Sequence, residues 1–357
     1  MRYDVAIVGA GIAGAGLAAA LAPHARVVLL EAEDTPGYHA TGRSAAFWSE
    51  TYGGPAIQPL TTASGPALRD GGFLQPLGSL NIGREEDRPA IERFLAEFDG
   101  SGVELSAVDP AAYLPGLRPD WTLAVLQPSC AYIDVAGLHA SFLGDARRAG
   151  AALTTDAGLH AAVRDGATWR IDTRAGPVEA GLLVNAAGAW ADDVAARAGV
   201  RPLGVRAYRR TIVQLRTDPA APDDMPHVAD IAGRFYFKPE AGGRLWLSPH
   251  DETLTDAHDV APEELDVAVA IDRFENVVDW HVAAVERRWA GLRSFAPDRL
   301  PVFGFDPHVP GFFWCAGQGG FGIQTAPAAS DLCAALILDR PVPHYLDPQR
   351  YAPNRLI

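Results

Sequence analysis

The chain opens with a short apolar run followed by three closely spaced glycines. Residues 5–8 (Val-Ala-Ile-Val) predict a buried strand of a parallel sheet. Gly9, Gly11 and Gly14 then follow in the G-x-G-x-x-G spacing. Residues 15–21, rich in Ala and Leu, predict a helix packed on that strand. In this pattern the first glycine permits a tight turn, the second lets the backbone approach a pyrophosphate, and the third lets helix and strand pack closely.

A second apolar run completes the unit. Residues 27–30 (Val-Val-Leu-Leu) predict a neighbouring strand that ends at Glu31, whose carboxylate can accept hydrogen bonds from a ribose diol. The N-terminus of the intervening helix offers unpaired N–H groups and a positive dipole end to phosphates. This order of elements predicts an adenine dinucleotide site with a Rossmann-like α/β fold. Its predicted cofactor contacts are Gly9, Gly11, Ile12, Ala13, Gly14, Glu31 and Ala32.

The pattern of alternating strands and helices is interrupted twice along the chain. Residues 48–129 and 198–284 are rich in Gly, Pro and short alternating strands, which predicts a second domain with a mixed-sheet α+β fold. Residues 1–47, 130–197 and 285–357 carry the nucleotide-domain pattern. We therefore expect two interleaved domains, each assembled from separated pieces of chain.

One longer amphipathic segment lies in the second excursion. Residues 262–280 predict a helix, because apolar side chains recur at helical spacing. The positions expected to face the core are Leu265, Ala268, Ile271, Phe274 and Val278.

Charge and cysteine content narrow the function classes. A net charge of −14 without a basic cluster argues against nucleic-acid binding, since no cationic surface would release counterions. The three cysteines (Cys130, Cys315 and Cys333) are odd in number and far apart, which predicts neither a disulfide framework nor a metal site. Residues 5–23 carry no charge but are mostly Ala and Gly, so we expect no transmembrane segment and a cytoplasmic location.

The residues after Glu31 indicate which dinucleotide is bound. The run Gly37-Tyr38-His39-Ala40-Thr41-Gly42-Arg43-Ser44-Ala45-Ala46 resembles the FAD-dependent D-amino-acid oxidase and glycine oxidase superfamily. Within it, the chain looks most like the D-arginine dehydrogenases. Further matching blocks span nearly the whole chain: residues 185–190, 208–211, 235–239, 289–295 and 316–325.

This resemblance implies a non-covalent FAD that lies across the first domain. Residues 42–46 would lie beside its pyrophosphate and isoalloxazine, and the glycine turn before residue 325 would face the ring. A histidine like His39 is bonded to flavin in some relatives, an alternative that the resemblance to enzymes with non-covalent FAD disfavours. The implied further cofactor contacts are Thr41, Gly42, Arg43, Ser44, Ala45, Ala46, Ala187, Gly188, Trp190, Gly291, Arg293, Gly319, Gly320, Phe321, Gly322, Ile323 and Gln324.

The resemblance also implies where the substrate binds. Arg210 and Arg293 correspond to arginines that hold a substrate carboxylate, a pairing that guanidinium geometry favours. Tyr52 and Tyr236 match tyrosines that line the pocket, and Gly320 lies in the turn beside the reacting centre. The implied reaction is hydride transfer from the substrate α-carbon to flavin N5, which gives an imino acid.

Three positions of the predicted substrate pocket bear on the substrate. Phe47 replaces a histidine of the D-arginine dehydrogenases, Gln75 aligns with their acidic residue that binds the substrate guanidinium, and Ser49 is kept. Because a guanidinium without a partner is costly to bury, these changes predict a D-amino acid with a neutral or apolar side chain. A secondary or N-methyl amino acid and a 2-hydroxy acid are alternatives, as is a non-catalytic flavin scaffold. The sequence leaves open whether oxygen or a quinone is the electron acceptor.

Overall fold

We describe residues 2–357 of a computed structural model. The α-helices are α1 (Ile12–Leu21), α2 (Gln58–Asp70), α3 (Arg88–Glu97), α4 (Val135–Arg148), α5 (Ala191–Arg197), α6 (Glu264–Glu275) and α7 (Ala326–Ile337). The strands are β1 (Arg2–Val8), β2 (Val27–Leu30), β3 (Phe47–Trp48), β4 (Leu74–Pro76), β5 (Ser79–Gly83), β6 (Ser106–Val108), β7 (Leu123–Gln127), β8 (Ala131–Ile133), β9 (Ala152–Thr154), β10 (Leu159–Asp165), β11 (Thr168–Thr173), β12 (Gly176–Asn185), β13 (Arg206–Asp218), β14 (His227–Asp230), β15 (Tyr236–Glu240), β16 (Arg244–Ser248), β17 (Thr253–Thr255), β18 (His281–Phe295), β19 (Val302–Phe305), β20 (Phe312–Ala316) and β21 (Gln318–Gly319).

An eight-stranded sheet forms the first layer, in the order β10-β11-β12-β1-β2-β9. Strand β20 extends it beside β12, and β19 pairs with β20. Strand β1 is parallel to both β2 and β12, as the buried apolar runs predict. Helix α1 begins directly after the glycine turn and packs against α4 and α7. The predicted strand–helix–strand unit is therefore confirmed.

Two glycines of the opening turn are required by close backbone approach. Gly9 has φ +99°, and a Cβ atom there would lie 2.5 Å from the carbonyl oxygen of Ala186. A Cβ atom on Gly14 would overlap the carbonyl oxygen of Gly9. Any larger residue at these positions would force the turn away from the ends of β1 and β12.

A ten-stranded sheet forms the second layer, in the order β21-β18-β13-β16-β15-β14-β5-β7-β6, with β17 paired to β13. A three-stranded sheet, β3-β8-β4, is separate from both. Strand β18 belongs to the second layer throughout, so the proposed domain boundary at residue 285 falls inside a strand. By sheet membership, the chain returns to the first layer after Phe295.

The core positions expected for the helix near residue 270 are confirmed in part: Phe274 and Val278 are buried and Ile271 packs against the same core, whereas Leu265 and Ala268 are exposed. Helix α6 is shorter than residues 262–280, and it buries Val267, Ala270 and Phe274. Leu265 is 70% exposed, because it lies about 200° around the helix from Val267. Ala268 is exposed as well, and Val278 is buried only after the helix has ended. The face of α6 that packs on the sheet therefore carries Val267 and Ala270, and Leu265 lies on the solvent side.

Within residues 2–357, no helix combines the length and the apolarity that crossing a membrane requires.

Replacing Gly14 by Ala should destabilise the first layer, because the new methyl group has no space beside the Gly9 carbonyl. We expect G14A to lower the free energy of unfolding in urea by about 1–3 kcal/mol or more, the usual cost of overpacking. Gly144→Ala in α4 is the matched control, because its Cβ would meet only the flexible end of Arg148. A G14A protein as stable as the wild type would show that the turn is not constrained as described.

Candidate active site

A large cavity of about 520 Å³ lies beyond the carboxyl ends of β1 and β2. Ligand sites of α/β sheets lie characteristically at this position. The glycine turn after β1 and Glu31 line one end, and Arg293, Gly319 and Gly320 line the other. The cavity is therefore long enough to reach from the first sheet to the second.

The nucleotide end has its polar groups fixed before any ligand binds. Glu31 accepts hydrogen bonds from the backbone N–H of Ala10 (2.8 Å) and of Glu33 (3.1 Å). Thr41 Oγ1 accepts the N–H of Ile12 (3.0 Å) at the start of α1, whose N-cap residue, Gly11, has no side chain to do so. A bare glycine turn, a helix N-terminus and an acidic strand end fit the pyrophosphate and ribose of an adenine dinucleotide.

Sixteen of the predicted cofactor contacts line this cavity. They are Gly9, Gly11, Ile12, Ala13, Glu31, Ala32, Thr41, Ser44, Ala187, Gly188, Trp190, Arg293, Gly319, Gly320, Gly322 and Ile323. Ala45, Ala46 and Gln324 instead line a smaller neighbouring cavity. Five further predicted contacts line neither cavity: Gly14, Gly42, Arg43, Gly291 and Phe321. The prediction that these residues touch the cofactor directly is therefore corrected.

Arg43 shows why these positions miss the cavity. Its guanidinium forms an ion pair with Asp259 (2.5 Å) and donates to the carbonyl oxygen of Val260 (3.1 Å), which holds it away from the ligand space. A Cβ atom on Gly291 would lie 3.2 Å from Arg43 Cβ, so this glycine makes room for Arg43. Gly14 and Gly42 likewise serve backbone packing.

Sequence analysis missed several residues that line the same cavity. His160, Arg174 and Arg197 come from strands and a helix that carry no motif. His39 also lines the cavity, with its Nε2 2.9 Å from Glu33 Oε1 and its ring against Trp190. Only the convergence of strand ends at one sheet edge could have indicated them, and that requires knowledge of the topology.

A second, small cavity of about 20 Å³ adjoins the first. The two share the lining residues Ser44, Arg293, Gly320 and Ile323, so they lie side by side. The remaining lining residues of the small cavity are Ala45, Ala46, Phe47, Tyr52, Tyr236 and Gln324. A water molecule needs about 10–15 Å³, so only a very small group fits here without movement of the walls.

The register of β13 and β18 places both candidate arginines on one face of the second sheet. Tyr208 lies directly opposite Arg293, and Arg210 is two residues further along the same strand. Because side chains alternate between faces, Arg210 and Arg293 point to the same side. Arg209 lies on the other face, where it pairs with Asp266 of α6 (2.8 Å).

Arg293 is a buried cation without a partner in the described chain. Its side chain lines both cavities and is 7% exposed, yet it forms no hydrogen bond or ion pair with any of residues 2–357. Burial lowers the pKa of Arg293, and the neighbouring Arg210 guanidinium lowers it further. A buried guanidinium left unpaired is costly, so the site is built to receive an anion.

Arg210 is placed differently from the sequence expectation of two equivalent carboxylate ligands. It is 2% exposed and lines neither cavity. Its Nε donates to the carbonyl oxygen of Asp251 (2.7 Å), and its Nη2 donates to Glu252 Oε1 (3.1 Å). One edge of this guanidinium is therefore already bound by the protein.

Tyr52 and Tyr236 both line the small cavity, in agreement with their predicted position. A Cβ atom on Gly320 would overlap the Tyr52 hydroxyl oxygen, so the absence of a side chain there lets the phenol lie against the turn. Burial raises the pKa of Tyr236, although Arg210 and Arg293 oppose the effect. The Tyr236 hydroxyl therefore keeps its proton at neutral pH and can donate a hydrogen bond.

Phe47 forms an aromatic wall of the small cavity. Its ring centroid lies 5.3 Å from that of Tyr52, 6.1 Å from that of Tyr236 and 4.2 Å from that of His227. His227 lies behind this wall, with its Nδ1 3.0 Å from Ser79 Oγ. The wall is apolar, as the replacement of a histidine by Phe47 predicts.

The two other predicted pocket residues are not at the cavity. The hydroxyl of Ser49 is buried in a network with Gln127 Oε1 (2.8 Å) and Thr51 Oγ1 (3.1 Å). Gln75 is exposed on β4, where it pairs with Tyr132 on the far side of β8 from Phe47. Two strand spacings, about 10 Å, separate it from Phe47. Both assignments to the pocket are corrected.

Comparison with known proteins identifies the family. The model of the family "DAO: FAD dependent oxidoreductase" matches residues 4–336. The chain belongs to the DAO family. It is therefore an FAD-dependent oxidoreductase, and the dinucleotide that fits the large cavity is FAD. The finer resemblance to D-arginine dehydrogenases stays a prediction.

Several members of the DAO family are similar over the whole chain. Glycine oxidase of Geobacillus kaustophilus (strain HTA426) is 27% identical over 359 residues, which cover 94% of this chain and 93% of that protein. The crystal structure of glycine oxidase from Geobacillus kaustophilus superposes with a TM-score of 0.86 and 26% identity, and it covers 100% of this chain and 99% of that one.

A longer relative matches as well. Mitochondrial dimethylglycine dehydrogenase of Homo sapiens is 26% identical over 398 residues, which cover 98% of this chain but 44% of that protein. The chain thus spans less than half the length of these mitochondrial relatives. The L-proline dehydrogenase from P. horikoshii has the same fold, with a TM-score of 0.87 at 21% identity, covering 99% of this chain and 97% of that one.

Replacing Gly320 by Ala should displace Tyr52, because the methyl group and the phenol oxygen cannot occupy the same space. We expect G320A to lower the free energy of unfolding by about 1–3 kcal/mol, as overpacking does. The cost should shrink by at least about 0.5 kcal/mol in a Tyr52→Phe background, a coupling that a double-mutant cycle measures in urea. Gly322→Ala in the same turn is the control, because its Cβ would meet Gln318 and not Tyr52. Additive costs for G320A and Y52F would contradict the contact.

Two buried histidines should make the protein sensitive to acid. Burial lowers the pKa of His227 to about 3 and that of His250 to about 4, from an ordinary value of 6.5, with help from Lys238 and Arg210 respectively. The unfolded chain therefore binds protons first as pH falls below 6.5. Each histidine should reduce the free energy of unfolding by up to about 1.4 kcal/mol per pH unit between that point and its folded pKa.

Urea denaturation between pH 7 and pH 4 measures this slope. His227→Gln should flatten the slope, and His281→Gln, which changes an exposed histidine, should leave it unchanged. The comparison uses slopes, so a uniform loss of stability in H227Q does not affect it. Identical slopes in wild type and H227Q would refute the assignment.

Proposed function

We propose that this protein oxidises a small D-amino acid with a neutral or apolar side chain to the corresponding imino acid. The observation that carries the proposal is the unpaired, buried guanidinium of Arg293 at the junction of the two cavities. An amino-acid carboxylate is the anion that a flavin-dependent amino-acid oxidoreductase needs to anchor. A guanidinium binds it through two parallel hydrogen bonds, each charged bond contributing roughly 1.5–3 kcal/mol.

The residues of the small cavity support a neutral side chain. Phe47, Tyr52 and Tyr236 are aromatic, and no carboxylate lines this cavity within residues 2–357. A cationic side chain such as that of arginine would have no partner, and its burial would cost several kcal/mol. The volume of about 20 Å³ further favours small side chains.

Each pocket residue has a definable task in this reaction. Arg293 fixes the carboxylate, and Tyr236 can donate a hydrogen bond to it from a hydroxyl that stays protonated. Phe47 and Tyr52 exclude water from the α-carbon, and Gly320 admits Tyr52 to the turn. FAD, when bound, would accept at its N5 atom the hydride that carries both electrons from the α-carbon. Holding the α-carbon in one orientation is the main contribution of the chain to the rate.

A secondary or N-methyl amino acid is the second candidate. Methyl groups on the substrate nitrogen are apolar, and they match the aromatic wall formed by Phe47, Tyr52 and Tyr236. The name of one relative, dimethylglycine dehydrogenase, refers to a substrate of this chemistry. Such a substrate would use the same carboxylate anchor, so the two candidates differ only in what occupies the aromatic wall.

Anaerobic mixing of the purified flavoprotein with a substrate panel tests the proposal. D-alanine and other small neutral D-amino acids should bleach the flavin absorbance, with rates well above those of D-arginine and D-lysine. N-methylglycine and lactate represent the two alternatives, and the products separate them, because ammonia, a primary amine or a keto acid alone is formed. Fastest reduction by D-arginine would refute a neutral pocket.

Arg293 provides the matched test of the anchor. Arg293→Gln should raise KM for the best substrate about tenfold or more, because two charged hydrogen bonds are lost. Arg287→Gln, at an exposed position on the same strand, should leave KM unchanged. An R293Q enzyme with wild-type KM would show that the carboxylate binds elsewhere.

A further inference from the structure

We propose that Glu252 restricts the site to substrates with one negative charge, because it neutralises the second guanidinium of the pocket. This inference rests on the proposed function, in which Arg293 binds a substrate carboxylate. Glu252 would then be a specificity-determining residue that touches neither the substrate nor the flavin. Its effect is on how many anionic groups the site accepts.

The contacts of Glu252 are those of a charge that holds two arginines. Its Oε1 lies 3.1 Å from Arg210 Nη2, and its two carboxylate oxygens lie 2.8 and 2.9 Å from Arg299 Nη2. Arg210 is 2% exposed, whereas Arg299 is half-exposed, so the carboxylate links a buried cation to a surface one. A buried ion pair of this kind contributes little net charge to its surroundings.

The segment that carries Glu252 is fixed in place. Arg210 Nε donates to the carbonyl oxygen of Asp251 (2.7 Å), and the Asp251 carboxylate accepts from the backbone N–H (2.7 Å) and the hydroxyl (2.9 Å) of Thr211. The preceding His250 has φ +54° and its Nδ1 lies 2.7 Å from the carbonyl oxygen of Gly233. These bonds hold Glu252 against Arg210 rather than in solvent.

The charges beside the small cavity then leave one cation unmatched. Glu252 pairs with Arg210 and Arg299, and the Asp251 carboxylate accepts from Thr211 and acts on Arg210 and Arg293 only electrostatically. These three guanidiniums and two carboxylates give one net positive charge. Arg293 is the group without a partner in the described residues, and it lines the cavity. One substrate carboxylate neutralises the charge of Arg293, and a second anionic group would then find no unpaired cation. Without Glu252, Arg210 would offer a second unmatched cation on the same sheet face.

Anion binding to the holoenzyme, measured by calorimetry at low salt, tests this inference. Methanesulfonate and sulfate are close in size and shape but carry one and two charges, so their ratio of affinities isolates charge from volume. Wild type should bind sulfate no more tightly than methanesulfonate. Glu252→Gln should raise the ratio in favour of sulfate by about tenfold or more, because an uncompensated charge is then within Coulombic range of the anion. Acetate and malonate also carry one and two charges, and the ratio of their affinities should change in the same direction.

Three further variants make the result decisive. Glu252→Asp keeps the negative charge and should keep the wild-type ratio of affinities. Glu252→Ala removes the charge and should change the ratio as E252Q does. The alanine variant also provides the test if E252Q does not fold. Glu264→Gln on α6 removes a carboxylate that pairs with Arg288 on the outer side of the sheet, and it should have no effect.

An unchanged ratio in E252Q and E252A, with acetate still bound by wild type, would overturn the inference and leave the proposed function standing. If neither wild type nor any variant binds these anions, the Arg293 anchor is absent and both fall.

Discussion

The pairing of β13 with β18 is the constraint on which the site depends. These two long strands run antiparallel from Arg206↔Phe295 to Asp218↔His281, and the register sets which side chains share a face. A shift by one residue would move the Arg293 side chain to the α6 side and put that of Leu292 or Ser294 on the face that Arg293 now occupies. The ladder of backbone hydrogen bonds, regular from Arg206↔Phe295 to Gln214↔Arg287, therefore positions the proposed anion-binding group, and the rest of the pocket is built around it.

The glycine turns position the other walls of the site, because the absence of a side chain allows close approach. Gly9, Gly14 and Gly320 each lie where a methyl group would meet backbone or the Tyr52 hydroxyl. Close approach of main chain to main chain brings the turn after β1 against the end of β12, and it brings the turn before α7 against Tyr52. The cavity that results is lined by residues from both sheets, so one end can hold the nucleotide and the other the proposed amino-acid substrate.

The sequence predicted the features that are local and failed where tertiary pairing decides. The glycine turn, Glu31 and the strand–helix–strand unit that joins them follow from spacing alone, and the structure has the turn and Glu31 at the cavity. Arg43, Ser49 and Gln75 belong to matching or aligned segments, yet an ion pair, a buried hydroxyl network and a strand edge turn them away from the ligand space. Glu252 carried no sequence signal, because its importance arises from a partner, Arg210, that is 42 residues distant.

The electrostatics of the small cavity bear on how the substrate amine loses its proton. Within residues 2–357, its lining holds the Arg293 cation and no carboxylate or imidazole that could act as a base. In the proposed reaction, a bound ammonium group would lie in a desolvated space, which lowers its pKa, while the substrate carboxylate balances the Arg293 charge. The neutral amine, whose lone pair assists hydride loss from the α-carbon, is therefore the form that the pocket would favour. On this proposal the chain promotes deprotonation by desolvation, and solvent takes up the proton.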